Sequence, residues 1–269
     1  MTQLKRILAA TDLSAPARHA AERAALVARA ASAQLDLVHV GSSLARLRNL
    51  AADLHARYGV SAATHVAGGP LLEGIEDTTH AVGADLLVLG ARGRSKLRRL
   101  FLGSTAARLV SGCELPVLVV KRTPATEYRC VLVPVDFSEA SLPAVQLARA
   151  VAPKARIVLM HAYEAHYEGR PLVAGIAGRH LAEYQRLALV HAQARMADLQ
   201  RSAGLPAGSV SEVLVHGPAA PLILQQEGRE RCDLIVTERH GHSYVEDLLV
   251  ASVSRKVLAE SAADVLVLP

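Results

Sequence analysis

The sequence predicts an α/β fold made of two tandem units, each a parallel sheet with helices on both faces. Three observations predict it. Short, nearly continuous apolar runs alternate with longer Ala- and Leu-rich stretches, as doubly buried parallel strands and their crossover helices require. The pattern runs twice along 269 residues, with landmarks in the same order. Composition agrees, since 51% of residues are hydrophobic, enough for a core, while aromatics are 3% and tryptophan is absent.

Taken in order, Lys5-Arg-Ile-Leu-Ala-Ala10 reads as a buried strand. Thr11-Asp12-Leu13-Ser14 follows, and either Asp12 or Ser14 can cap an Ala-rich helix over 15–32. Gln34 to Val40 is a second strand, and a helix over 43–58 ends at Gly59, a C-cap residue. Val60 to Val66 is a third strand, and Gly69-Pro70 opens another helix with Pro at a tolerated position. Asp85 to Leu89 is the fourth strand, a helix covers 104–111, and Leu115-Pro-Val-Leu-Val-Val120 is the fifth strand. Such alternation implies right-handed βαβ crossovers.

The order then restarts. Arg129 to Val135 before Asp136-Phe137-Ser138 echoes Arg6 to Thr11 before Asp12-Leu13-Ser14. Leu159-Met-His-Ala162 answers Leu37-Val-His-Val40, His216-Gly217-Pro218 answers Gly68-Gly69-Pro70, and Asp233-Leu-Ile-Val answers Asp85-Leu-Leu-Val. Val265-Leu-Val-Leu268 closes the copy. The domains are therefore 1–123 and 124–269, joined by Thr123-Pro124-Ala125-Thr126. The second copy carries an insertion near 163–189, which includes Glu168-Gly-Arg-Pro171 and then the start of a helix over 178–203. It can serve as a lid, an interface arm or padding.

Charge and composition exclude several function classes. Residues 1–123 carry 16 Lys and Arg against 9 Asp and Glu, whereas residues 124–269 carry 14 against 16. A basic first half suits an anionic ligand, and equally an Arg-rich solvated surface. Scarce aromatics argue against a base-stacking nucleic-acid reader. Cys113, Cys130 and Cys232 form no metal-finger spacing and read as free thiols of a reducing compartment. Met1 leads straight into a strand with no signal peptide, and no apolar run is long enough to span a bilayer. The expected location is cytoplasmic, with no membrane partner.

The most informative stretch is Gly90-Ala-Arg92-Gly93, nine residues, then Gly103-Ser104-Thr105. Glycines after a strand let backbone N–H groups approach an anion, and a helix start adds unpaired N–H groups. Arg92, Arg94, Lys96, Arg98 and Arg99 place five cations within eight residues, as a phosphate loop or a solvated loop would. Ligands of open parallel sheets lie beyond the carboxyl ends of strands, which singles out Thr11, Asp12, Val40 and Gly90 onward. Asp12 can accept ribose hydroxyls or cap a helix. Ser104 and Thr105 can meet a phosphate, cap their helix, or do both. No G-x-x-x-x-G-K-[ST] exists, so this is not a P-loop nucleotidase, and no G-x-G-x-x-G follows the first strand, which disfavours an ordinary dinucleotide site.

The Gly90-x-x-Gly93 motif, its spacing to Gly103-Ser104, the opening Ile-Leu-Ala-Ala-Thr-Asp12 and the closing Leu115-Pro-Val-Leu-Val-Val resemble the universal stress protein family. The resemblance covers the whole chain as two copies. It implies two Rossmann-like domains, each a five-stranded parallel sheet of order 3-2-1-4-5, and ATP as the bound nucleotide, with or without Mg. It further implies that Asp12 meets the ribose or adenine side and that Val40 holds adenine through its backbone. Gly90, Gly93, Gly103, Ser104 and Thr105 would cradle ribose and phosphates. A phosphate contact by Arg92 is inferred from its charge alone. Family members pair through their last strands, so Leu115–Val120 and Val265–Leu268 are expected to pair within the chain as a pseudo-dimer, and a homodimer is a further expectation.

The second copy departs from the motif. Gly90 becomes Glu238, Gly93 stays Gly241, Gly103 becomes Ala251, Ser104 stays Ser252, and Thr105 becomes Val253. Lys96, Arg98 and Arg99 become Tyr244, Glu246 and Asp247. Each like-charge contact with a triphosphate costs on the order of 4 kcal/mol at about 4 Å and an effective dielectric near 20, before screening. One competent adenine-nucleotide site is therefore expected, in the first half, serving stress-response signalling with an unknown protein partner. An ATPase or self-phosphorylating enzyme using Ser104 or Thr105, and a nucleotide-independent interaction module, are the alternatives. No catalytic cast of nucleophile and base is evident, which leaves at most slow hydrolysis. His240-Gly-His242, with His161 and His166, is a weaker metal candidate, and no metal site is expected.

Overall fold

A computed structural model of the chain describes residues 3–91, 103–163, 177–206, 208–239 and 251–269, with side chains throughout except at 177–182, 251 and 252. The first half runs β1 (Arg6–Ala10), α1 (Ala15–Ala31), β2 (Gln34–Val40), α2 (Leu44–Tyr58), β3 (Ala62–Ala67), α3 (Leu71–Val82), β4 (Leu86–Gly90), α4 (Ser104–Gly112) and β5 (Val117–Val120). The second runs β6 (Cys130–Pro134), α5 (Ser141–Val151), β7 (Arg156–Tyr163), α6 (Ala177–Ser202), β8 (Ser211–His216), α7 (Ala219–Glu230), β9 (Leu234–Glu238), α8 (Ala251–Glu260) and β10 (Asp264–Leu268). Of the insertion near 163–189, Tyr163 ends β7, residues 164–176 lie outside the described residues, and residues 177–189 open α6.

Local chemistry explains the boundaries. Ser14, not Asp12, caps α1, accepting from the Ala17 N–H at 3.4 Å. Gly59 and Gly83 end α2 and α3 in the left-handed region, at φ 70° and 64°, where a missing Cβ costs nothing. Alanines 20, 21, 24, 25 and 28 form the buried face of α1, and their small size lets the helix lie close on the sheet. The central strands are buried on both sides while the edge strands β3 and β8 are only partly covered, and the apolar residues divide between two cores, one on each face.

The sheet order corrects the expectation of two five-stranded sheets and bears out the expected pairing of the last strands within the chain. Within the halves it is β3-β2-β1-β4-β5 and β8-β7-β6-β9-β10, but these are not two separate sheets. β5 and β10 pair antiparallel, Val119 opposite Val265 and Val117 opposite Val267, so ten strands make one sheet. The physical reason is edge satisfaction. Each half alone would expose a short, predominantly apolar last strand with unpaired backbone groups, and pairing the two strands satisfies both.

Two aspartates keep the copies in register. Asp85 accepts from the Lys5 and Arg6 N–H groups at 2.7 and 2.9 Å, locking the start of β1 to that of β4. Asp233 does the same for Arg129 and Cys130 in the second half. A third aspartate, Asp264, stands where the first copy has Pro116, and it ties the halves together. Fully buried, it accepts from the Lys121 N–H at 2.8 Å, the Arg122 N–H at 3.1 Å, the Tyr128 hydroxyl at 2.8 Å and Arg23 Nε at 3.1 Å. Arg23 comes from α1 and also stacks 4.0 Å from the Tyr128 ring centre. Helix α1, the linker, β5 and β10 thus meet on one carboxylate. Asp264→Ala leaves a buried guanidinium without its counterion and is expected to lower unfolding free energy by about 3–5 kcal/mol, read by urea denaturation.

Candidate functional site

A cleft of about 310 Å³ opens at the carboxyl ends of β1, β2 and β4, where order reverses in the first half. Thr11, Asp12, Val40, Gly90, Gly103, Ser104 and Thr105, distant in sequence, all line it. Arg92 and Gly93, with the other cations of that loop, lie outside the described residues. The same holds for His166, His240, His242, Gly241, Tyr244, Glu246 and Asp247.

Each wall has a local cause. Thr11 extends β1, donating its N–H to Val38 O at 2.9 Å, and its hydroxyl accepts from the Leu13 N–H at 3.0 Å. Asp12 Oδ1 accepts from the Ser14 N–H at 2.9 Å, an Asx turn that carries Leu13 at φ 61°. The carboxylate is thereby fixed at the cleft wall while Ser14 does the capping. Val40 ends β2 against α3, whose Gly74 lets the helix approach. A Cβ there would lie 3.2 Å from Val40 Cγ2 and 3.1 Å from the Ala67 Cβ. Val38, Leu71, Ile75 and Leu89 complete an apolar wall suited to a flat, uncharged ring.

The phosphate side is pinned by backbone. The Ala91 N–H donates to Val120 O at 2.8 Å and the Gly103 N–H to Ala91 O at 2.9 Å, so the glycine ends of the loop are drawn together. Gly103 is the N-cap of α4, with no side-chain hydrogen bond to the first turn. The first amide donors of α4 therefore face the cleft beside Ser104 and Thr105, where the helix end favours an anion.

His39 was not a sequence candidate, yet it lines the same cleft. Its Nδ1 lies 2.9 Å from Thr11 O, a carbonyl that can only accept, so Nδ1 donates. The available signal was its recurrence as His161 one residue before the Val40 position of each copy. Gly41, at φ 144°, gives the imidazole room, since a Cβ there would come within 2.9 Å of Nε2.

The second half repeats the frame and changes the contents. Asp136 Oδ1 accepts from the Ser138 N–H at 2.8 Å with Phe137 at φ 62°, and His161 Nδ1 donates to Val135 O at 2.7 Å. Glu238 stands in the place of Gly90 and is only 8% exposed. Its carboxylate accepts from Ser138 Oγ at 2.9 Å and lies 3.3 Å from Ser141 Oγ, which is also 3.2 Å from Asp136. The remaining cleft is about 150 Å³. The hydroxyl that corresponds to the α1 cap is directed to Glu238, and α5 begins at Ser141, later in the repeat than α1 does. Ala162 lines this smaller cleft in the place of Val40.

Among known proteins, the sequence profile of the universal stress protein family matches residues 41–121 and again 127–269. A universal stress protein of Mycobacterium tuberculosis is 29% identical over 194 residues, 68% of this chain and 61% of that protein. The chain thus spans about three fifths of the length of that relative. A universal stress protein of Thermus aquaticus is 32% identical over 143 residues, 52% of this chain and 97% of the relative. A crystal structure of a putative universal stress protein from Pseudomonas aeruginosa shares the fold, with a TM-score of 0.70 at 21% identity over 98% of this chain and 93% of that one.

Burial holds the His161 imidazole below its ordinary range, ahead of the opposing hydrogen bond to Val135 O. The unfolded chain therefore takes up a proton near pH 6.5 that the folded chain resists. Stability from this group is complete above that pH and declines as pH falls below it. His161→Asn is expected to flatten the loss of urea midpoint between about pH 7 and pH 5 relative to the unaltered protein.

Proposed function

The chain belongs to the universal stress protein family, and from that membership we propose that its first half binds one ATP as a conformational ligand while its second half binds none. The observation that carries this reading is the convergence of Asp12, Val40, Gly90 and Gly103–Thr105 on one cleft beside the amide end of α4. In this reading adenine lies against Val38 and Ile75 with its edge at the Val40 backbone, and Asp12 accepts from the ribose. The Gly103, Ser104 and Thr105 amides take the phosphates, assisted by Arg92 and Gly93 from the loop. Asp12 is the one carboxylate among the described residues lining the cleft, too few for a dedicated Mg²⁺ cage, so the ion travels on the phosphates.

In the second half, Glu238 puts a carboxylate where Gly90 leaves space in the first, and the smaller cleft of about 150 Å³ supports the reading that no nucleotide binds there. ATP then acts as a signal carried by the first half in a cytoplasmic stress response, read by a protein partner. The domains divide at 123/124 into a nucleotide half and a structural or regulatory half. Because β5 and β10 satisfy each other inside the chain, assembly into a homodimer would use another surface.

Calorimetry and native mass spectrometry test the reading. One ATP per chain is expected, Gly103→Leu should weaken binding at least about 100-fold by inserting a side chain at the phosphate cradle, and Ala251→Gly should add no second site. No binding at millimolar ATP, or two molecules per chain, would overturn it. Turnover of labelled ATP is expected not to exceed buffer; turnover abolished by Ser104→Ala would instead make the protein an enzyme.

A further inference from the structure

The second half carries a pair of thiols with no equivalent in the first. Cys130 opens β6, and Cys232 lies in the turn between α7 and β9. Their repeat counterparts are Arg6 and Ala84. The two Sγ atoms are 2.7 Å apart, and both cysteines are free. A disulfide measures about 2.05 Å, so a short movement of either side chain closes the bond. Backbone contacts keep the pair adjacent whatever the side chains do. β6 and β9 are neighbours with Val131 opposite Leu234, the Asp233 N–H donates to Cys130 O at 3.0 Å, and the Cys130 N–H donates to Asp233 Oδ1 at 3.0 Å.

The surroundings distinguish the two sulfurs. Arg156, a largely solvent-facing residue, donates from Nη2 to Cys130 Sγ at 3.3 Å, while its Nη1 holds the Glu230 carboxylate at 2.7 Å. Cys130 is therefore the sulfur that takes the guanidinium contact, and both sulfurs are buried. Burial raises both thiols; the hydrogen bond to and charge of Cys130 raise Cys232 further, whereas the Cys232 hydrogen bond and the Arg156 charge pull Cys130 back and Asp233 and Glu230 oppose them. With both sulfurs covered, only a small, uncharged oxidant reaches them.

We propose that Cys130 and Cys232 are a peroxide-oxidisable dithiol, with Cys130 as the attacking sulfur and Cys232 as the resolving one. The Cys130 thiolate attacks one oxygen of hydrogen peroxide, the O–O bond breaks, and the departing hydroxide takes up a proton as water, leaving a sulfenic acid. The Cys232 sulfur then attacks the Cys130 sulfur, the S–O bond breaks, and the hydroxyl leaves as water with the Cys232 proton. Two thiols and one peroxide become a disulfide and two waters, the sulfurs losing the two electrons that the peroxide gains. The disulfide joins the start of β6, just past the linker, to the α7–β9 turn.

The test treats the folded full chain with millimolar hydrogen peroxide at neutral pH, removes the oxidant, then denatures, alkylates with N-ethylmaleimide and weighs the intact protein. Alkylation is expected to fall from all three cysteines to Cys113 alone, with a loss of about 2 Da, a Cys130–Cys232 cross-linked peptide, and recovery by dithiothreitol. Arg156→Met is expected to slow the reaction at least about threefold. In Cys232→Ser, a sulfenic acid trapped by dimedone should accumulate on Cys130. Retention of three alkylations, loss of Cys113 first, or sulfinic acid on Cys130 without a cross-link would overturn the proposal, and an undiminished rate in Arg156→Met would overturn Cys130 as the attacking sulfur. If Cys232→Ser fails to fold, the mass and cross-link of the unaltered chain decide alone.

Discussion

The antiparallel pairing of β5 with β10 is the constraint on which the rest of the structure depends. Two short apolar edge strands have no stable existence in water, because their backbone groups would face solvent unpaired beside side chains that avoid it. Paired, they close the middle of a ten-stranded sheet. The seam is charged as well as apolar, for Asp264 sits fully buried at its end and gathers donors from α1, the linker and the residues after β5. A lone buried carboxylate would be costly; one with four donors from three segments fixes how the halves meet. Arg239 adds a tie from the other direction, donating from β9's end to Ser111 O and Cys113 O at 2.9 and 3.0 Å. The C-terminus of α4 is thereby held by the second half, while its N-terminus faces the first cleft.

Duplication supplies a comparison inside one molecule. Both copies keep the Asx turn after the first strand and the histidine that donates to the carbonyl before that turn's aspartate. These features build the frame of a cleft rather than its chemistry, and they persist whether or not a ligand is bound there. The contents diverge at one position above all. A residue without a side chain leaves space in the first copy, and a carboxylate solvated by two serine hydroxyls takes that space in the second. The substitution acts locally and propagates, since it draws Ser138 away from capping and α5 begins later than α1 does.

Much of this was legible from residue order. Strand and helix positions followed from apolar runs and from Gly59 and Pro70 as punctuation, with β3 beginning two residues later than its apolar pattern suggests. Asp85 and Asp233 were visible as repeated landmarks, though not as the locks that they are. His39 escaped notice because a histidine beside valines carries no ligand signature until its partner, Thr11 O, is known. The choice between Asp12 and Ser14 as helix cap was open in sequence, since both types cap equally well and only backbone geometry assigns the role.

By itself the sequence determined the α/β alternation, the duplication, the glycine pair and hydroxyls of the first copy, and the carboxylate that replaces Gly90 in the second. Those are statements about residue type and spacing, which local periodicity and steric freedom translate into structure. The pairing of the last strands was expected from the resemblance, but only the tertiary structure decided its antiparallel register, that Asp264 gathers Arg23 and Tyr128, and that Cys130 and Cys232 touch across 102 positions. These pairings join segments far apart in the chain, and no local preference encodes them. They arise because burying a strand edge, a charge or a polar atom requires a partner, and the fold determines which partner is within reach.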